Sequence, residues 1–176
     1  MISEVAITLR PLESLHLDRT RAWANDPELM RLMDRCSYVS EAEHVAWFEN
    51  LLHQDDRRYF AIELGDEHRH VGNVWLWQIN SRHQKAEVRI VIGDSSVRCR
   101  SLGTQAIELV CRYAFEDLGL ARLYAYTLAI NPRARRAFEK AGFELEGVLR
   151  NDRRTSEGFC DAFLLAKLRL AKAEIE

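Results

Sequence analysis

Residues 97–115 read VRCRSLGTQAIELVCRYAF and follow a β-branched run, VRIVI, at Val88 to Ile92. Leu102, Ala106, Leu109, Val110, Tyr113 and Ala114 recur at three- and four-residue spacing, the period of one buried helix face. The run before them is short, rich in β-branched residues and closed by Gly93-Asp94, which predicts a strand. Between strand and helix the chain sets Arg98, Arg100 and Gly103. A helix start carries free N–H groups and the positive end of the macrodipole, so a basic strand-to-helix turn predicts an anion site.

The 176 residues, 47% of them hydrophobic, are enough for one domain, 1–176, with a sizeable core. A net charge of −2 lacks the basic footprint of a nucleic-acid binder. Cys36, Cys99, Cys111 and Cys160 are far apart and show no metal-type spacing, which fits a reduced, cytoplasmic protein with free thiols. No apolar stretch approaches the roughly 20 residues of a membrane span, so no membrane partner is expected. His68-Arg69-His70 has a metal-like spacing without supporting ligands and reads as a hairpin turn; no metal is expected.

Along the chain, Val5 to Arg10 alternates as a strand and Leu15 to Ala24 carries a helical pattern. Asp26 caps a further helix with Pro27 at its first position, and Ser40-Glu41-Ala42-Glu43 has the spacing of a capping box. Tyr59 to Leu64, Val71 to Ile79 and Glu87 to Ile92 read as an antiparallel meander. Gly119 ends the long helix, and Arg122 to Leu128 is another strand. In NPRARRAFEKAGF, Asn131 caps a helix, Pro132 opens it and Gly142 closes it. Two strand-to-helix junctions side by side would turn both helix starts toward one cleft. Glu144 to Leu149 and Cys160 to Leu168 are the last strands, with NDRRTSEG expected as a polar loop between them.

These residues resemble the GCN5-related N-acetyltransferase (GNAT) superfamily, in the branch that contains ribosomal-protein alanine acetyltransferases and spermidine acetyltransferases. Arg98-Cys99-Arg100-Ser101-Leu102-Gly103 matches that family's Arg/Gln-x-x-Gly-x-Gly/Ala loop, with Ser101 in place of the first glycine. Asn131 and Phe138-Glu139-Lys140-Ala141-Gly142-Phe143 resemble its Asn-x-x-Ser…Glu-Lys-x-Gly-Phe segment. Ala134 stands where a serine is frequent, and Phe138 where many members have a tyrosine proposed to protonate the departing thiolate.

The resemblance implies an α/β (α+β) fold, a mixed, mostly antiparallel central sheet of about six or seven strands with helices on both faces. It implies transfer of acetyl from acetyl-CoA to a primary amine by direct attack in a ternary complex. Ile90, Val91 and Ile92 would pair with the pantetheine arm, and Asn131 would bond it from the other side. The loop Arg98, Cys99, Arg100, Ser101, Leu102, Gly103 and Thr104 would wrap the pyrophosphate. Arg133, Arg135 and Arg136 could meet the 3′-phosphate, against the plainer reading of a solvated charged face; cations at a helix start are unfavourable unless an anion is present.

Glu87 is the expected base, acting directly or through water, against the plainer reading that it pairs with Arg89 or Lys85. With Phe138 unable to donate a proton, Tyr126, Tyr124 or solvent is expected as the acid. Trp23, Trp47, Trp75 and Trp77 divide between core and an amine pocket. Asp26, Glu28, Glu41 and Glu43 could attract a cation but are already explained as helix-start residues. A protein N-terminus, a polyamine, an aminoglycoside and a nucleotide-linked amino sugar all remain open as acceptors. A homodimer is compatible with the sequence. The alternative is a binding module that holds acyl-CoA as a sensor and catalyses weakly.

Overall fold

The structure, a computed structural model, describes residues 7–33, 35–98, 101–155 and 158–169. In chain order the elements are β1 (Ile7–Pro11), α1 (Leu17–Ala24), α2 (Pro27–Leu32), α3 (Glu41–Leu51), β2 (Arg58–Leu64), β3 (Arg69–Asn80) and β4 (Lys85–Ile92). They continue with α4 (Leu102–Glu116), β5 (Arg122–Leu128), α5 (Pro132–Lys140), β6 (Glu144–Thr155) and β7 (Gly158–Leu168).

Helix starts follow the local chemistry. Asp26 accepts a hydrogen bond from the Leu29 N–H at 2.9 Å with Pro27 next to it, opening α2. Ser40 and Glu43 form the reciprocal capping box of α3, Glu43 accepting from the Ser40 N–H at 2.8 Å and Ser40 from the Glu43 N–H at 3.3 Å. Asn131 accepts from the Ala134 N–H at 3.2 Å, starting α5, and Gly142 follows that helix at φ +87°. The first helical stretch differs from expectation: a 3-10 turn, Ser14–His16, precedes α1.

The strands form one seven-stranded sheet in the order β1-β2-β3-β4-β5-β7-β6. Every neighbouring pair is antiparallel except β4 and β5, which run parallel and pair only over Lys85–Glu87 against Arg122–Tyr124. Beyond Glu87 and Tyr124 the two strands part. α4 packs on β1, β3 and β4, burying Leu102, Ala106, Ile107, Val110, Cys111 and Ala114. Its buried stripe takes in Ile107 and Cys111, with Leu109 and Tyr113 at the margin, a small rotation from the face read in the sequence. Burial pushes the Cys111 thiol up to about 12, making it an inert core residue. α1 lies on the opposite face, where Thr20 meets Asn73 of β3.

One expectation is overturned. NDRRTSEG is not a free loop: β6 continues to Thr155 and β7 starts at Gly158, with Thr155 paired to Gly158 and Arg153 to Cys160. The register slips between Leu149 and Arg153, where Asn151 adopts φ 53° and its N–H bonds to Asp161. Nearly every side chain from Arg150 to Arg154 is exposed, so no alternation marks this strand in the sequence. Among the described residues no helix is long and apolar enough to cross a membrane.

Candidate active site

Two cavities lie beside β4, and Val91 and Met33 belong to the walls of both. The first, about 470 Å³, opens where β4 and β5 part. Ile90, Val91 and Ile92 form its strand wall; Ser101, Leu102, Gly103 and Thr104 bring the α4 start, and Asn131 the α5 start. The two helix N-termini thus face one slot, each presenting N–H groups. Arg98 also lines it, held by Glu28 at 2.7 Å and by the carbonyls of Ile92 and Gly93. Cys99 and Arg100 lie outside the described residues.

Arg133, Arg136 and Lys140 line the same slot, spaced three and four apart on one face of α5. Arg135 turns away, paired with Glu139 at 2.7 Å and lying over Phe163. Sequence reading missed Lys140 and the α2 wall of Leu29, Leu32 and Met33. The helical spacing of Lys140 from Arg136 is the signal that could have found it.

Two loop positions carry the local conformation. Ser101 sits in the left-handed region at φ 60° and makes no side-chain cap bond, which explains why a glycine suits that place. Gly103 is different: a Cβ there would be 3.8 Å from Ile92 and 3.9 Å from Ala137, ordinary contacts. Packing does not require this glycine; its bareness keeps the slot between β4 and α5 open.

The second cavity, about 210 Å³, lies on the α1 side of the sheet. Trp23, Trp47, Tyr59 and Trp75 supply its aromatic walls. Tyr59 stacks on Trp75 with centroids 5.2 Å apart, and Trp47 meets Tyr59 edge-on at 5.4 Å. Trp23 rests on Gly93, where a Cβ would come within 2.0 Å of the indole. Trp77 instead lies beneath Arg57 and Arg89 at 3.5 and 4.9 Å and lines neither cavity.

The polar part of this wall is pre-positioned. Asn73 donates to the Thr20 hydroxyl at 3.1 Å and accepts from His70 Nε2 at 2.8 Å. Thr20 in turn donates to the His16 carbonyl at 2.8 Å. His16 Nδ1 accepts from the Glu13 N–H, so its Nε2 carries the proton and faces Glu63 at 3.3 Å. His68 also meets Glu63, at 2.9 Å, so the histidines of the His68-Arg69-His70 run are both engaged within the protein. Among the described residues no cluster of three or more His, Cys, Asp or Glu could hold a metal.

Glu87 lies on the same side of the sheet, 6% exposed, and receives Arg89 Nε at 2.6 Å and Nη2 at 3.0 Å. It lines neither cavity. Ile90, three residues along the strand, is roughly 10 Å away at the usual rise. Tyr124 pairs in register with Glu87; burial, and then the Glu87 charge, raise its phenol above the ordinary value. Tyr126, 40% exposed, stands just past the last β4–β5 pair, with its ring 6.0 Å from that of Tyr124. Phe138 is buried against Phe143 at 5.0 Å and lines neither cavity.

A parted strand pair, two helix starts and a cationic helix face form a slot for a long anionic ligand with a second pocket at its inner wall. The sequence profile of the acetyltransferase (GNAT) domain matches residues 6–144. The probable N-acetyltransferase YjcK of Bacillus subtilis is 27% identical over 160 residues, 86% of this chain and 88% of that one. The spermidine N(1)-acetyltransferase of Vibrio cholerae is 28% identical over 143 residues, covering 81% and 82%. A crystal structure of spermidine N-acetyltransferase from Vibrio cholerae, in complex with CoA and spermine, superposes with a TM-score of 0.87 at 26% identity over 92% of this chain and 95% of that one. Fold, cavity and sequence agree, and the chain belongs to the GNAT acetyltransferase family.

Proposed function

We propose that the chain transfers an acetyl group from acetyl-CoA to a primary amine within a ternary complex. The observation that carries this reading is the shared wall at Val91 and Met33, which sets a slot suited to CoA against a separate pocket suited to an amine. Past Glu87, β5 no longer pairs with β4, so strand edge is available to the pantetheine amides and to the thioester oxygen. The starts of α4 and α5 receive the pyrophosphate, and Arg133, Arg136 and Lys140 offset the remaining phosphate charge.

In the reaction the amine nitrogen attacks the thioester carbon, the C–S bond breaks, and the amine loses a proton while the thiolate gains one. Glu87 takes that proton through water, with Arg89 fixing its carboxylate, and Tyr126 at the strand opening protonates the thiolate. The free thiol of Cys36 and the unreactive one of Cys111 suit a reducing cytoplasm. Exposed Leu145, Val148 and Phe159 on the β6–β7 ribbon supply an apolar surface for association with a second copy.

The second reading, a weakly catalytic acyl-CoA sensor, draws on the Glu87–Arg89 pair and on the burial of Phe138. A thiol-release assay with an amine panel decides between them. Turnover that falls about tenfold or more in Glu87→Gln and in Tyr126→Phe, with acetyl-CoA affinity retained, supports the proposal. Tight CoA binding without turnover of any amine overturns it in favour of the sensor.

A further inference from the structure

We infer that the acceptor pocket takes a monoamine with a flat, apolar body and an anionic oxygen group, and that it disfavours polyamines; this rests on the transferase reading above. A polyamine is a chain of separated positive charges, and a pocket for it needs carboxylates. Among the described residues lining this one there is no Asp or Glu. Of the carboxylates nearby, Glu87 faces Arg89, Asp56 faces Arg57 at 3.2 Å and Glu41 faces Arg21 at 3.9 Å, while Asp18 acts on His44 from outside the lining. Glu28 faces Arg98 at 2.7 Å, and Glu43 is spent on the α3 capping box.

Among the described residues, one arginine belongs to the pocket wall itself. Arg35 lines it and has no carboxylate partner among the described residues. Burial, and then Arg21 and Arg35, hold the His44 pKa below its ordinary value, with Asp18 opposing, so His44 is neutral near pH 7. At Tyr59, whose phenol burial pushes up to about 12, Arg57, Arg89 and Arg35 act together against the single opposing charge of Asp56. Arg57, Arg89 and Arg21 are offset by their own carboxylates, so the charge that repels a polycation and attracts an anion at this wall is that of Arg35.

The remaining wall fits the same ligand. The near-parallel Tyr59–Trp75 pair, 8° between planes, offers broad flat surfaces. The indole N–H of Trp75 is buried without a partner, a donor that an acceptor oxygen on the ligand would satisfy. A carboxylate or a phosphate has the required chemistry.

The test measures kcat/KM for spermidine, 2-phenylethylamine, 3- and 4-(2-aminoethyl)benzoate and the two matching benzamides. At least one benzoate should exceed its benzamide about tenfold or more, the usual worth of a charge-assisted hydrogen bond, and should exceed spermidine. In Arg35→Gln that benzoate-to-benzamide ratio should fall to about one, and Arg35→Lys should keep part of it. Spermidine as the best substrate, benzoates no better than benzamides, or a ratio unmoved by Arg35→Gln would each overturn the inference and leave the transferase reading standing. Should no amine turn over, calorimetry with the N-acetylated benzoates and benzamides in the presence of CoA gives the same ratio. Preferential benzoate binding then supports the pocket assignment while the transferase reading fails, and equal binding overturns the pocket assignment as well.

Discussion

Replacing Ser101 with glycine should stabilise the protein. Ser101 precedes α4 at φ 60° and ψ 7°, and its hydroxyl makes no cap bond, so glycine forfeits no contact of that kind. A left-handed conformation costs an L-residue about 1–2 kcal/mol. Glycine removes that cost but adds about 0.4–1 kcal/mol of unfolded-state freedom. The balance favours Ser101→Gly by about 0.5–1 kcal/mol. For a chain of this length each kcal/mol moves Tm by about 2–4 °C, so a rise of about 1–4 °C is expected. Removal of the Cβ also clears the approach to the α4 N–H groups, so Kd for acetyl-CoA should hold or fall. Thermal unfolding gives the first quantity and calorimetry the second. Ser101→Ala is the control: it removes the hydroxyl and keeps the strained backbone, so it should not stabilise. A lowered Tm in Ser101→Gly, or equal gains in both variants, would refute the backbone explanation.

Gly103→Glu should abolish thermal protection by acetyl-CoA, while Gly103→Ala, whose methyl meets only Ile92 and Ala137 at ordinary distance, should fold normally and bind more weakly. Unchanged affinity in a folded Gly103→Glu protein would remove the loop from the cofactor site. Phe138→Tyr should lose about 1–3 kcal/mol of stability by burying a hydroxyl beside Phe143, without raising kcat; a faster chemical step would show that the ring edge reaches the thioester after all. His44 and His70 both have pKa values lowered mainly by burial, so the fold favours their neutral forms. Their contribution is complete above the ordinary value of 6.5 and is lost as pH falls from there through the folded values. Denaturant midpoints should therefore drop between about pH 7 and pH 5, less steeply in His70→Gln; a flat profile for the wild type would count against the burial account.

How much of this was legible in the sequence depended on range. The caps at Asp26, Ser40 and Asn131 are satisfied within three residues, and all are found where expected. The parallel β4–β5 contact involves only three register pairs, yet the two strand-to-helix junctions announced the cleft beside it. The β6–β7 ribbon was misread because burial creates alternation, and Arg150 to Arg154 are mostly exposed; pairing alone holds that strand. The electrostatics of the acceptor pocket were the least visible part. Arg35, Arg57 and Arg89 come from separate segments, and only the folded chain brings their charges to bear on Tyr59.

That convergence of arginines bears on how the amine loses its proton. Glu87 is clamped by two bonds from Arg89 and stands back from both cavities, a poor arrangement for a base that must act alone. Yet an ammonium entering an aromatic pocket loses hydration and meets positive charge, and both effects favour its neutral form. The pocket thereby does part of the base's work before chemistry begins, and the proton can leave through water. The expected consequence is a kcat–pH profile whose acid limb has a midpoint at least about one unit below the pKa of the free amine, equivalent to about 1.4 kcal/mol of differential interaction. Arg35→Gln should move that midpoint up toward the free amine, and Glu87→Gln should slow the reaction by only about ten- to a hundredfold, the low end for a general base. The profile is read with 2-phenylethylamine, which carries no second titrating group. A midpoint at or above the free amine's pKa, or one that Arg35→Gln leaves in place, would show that the arginines do not prepare the nucleophile and would return the whole of deprotonation to Glu87.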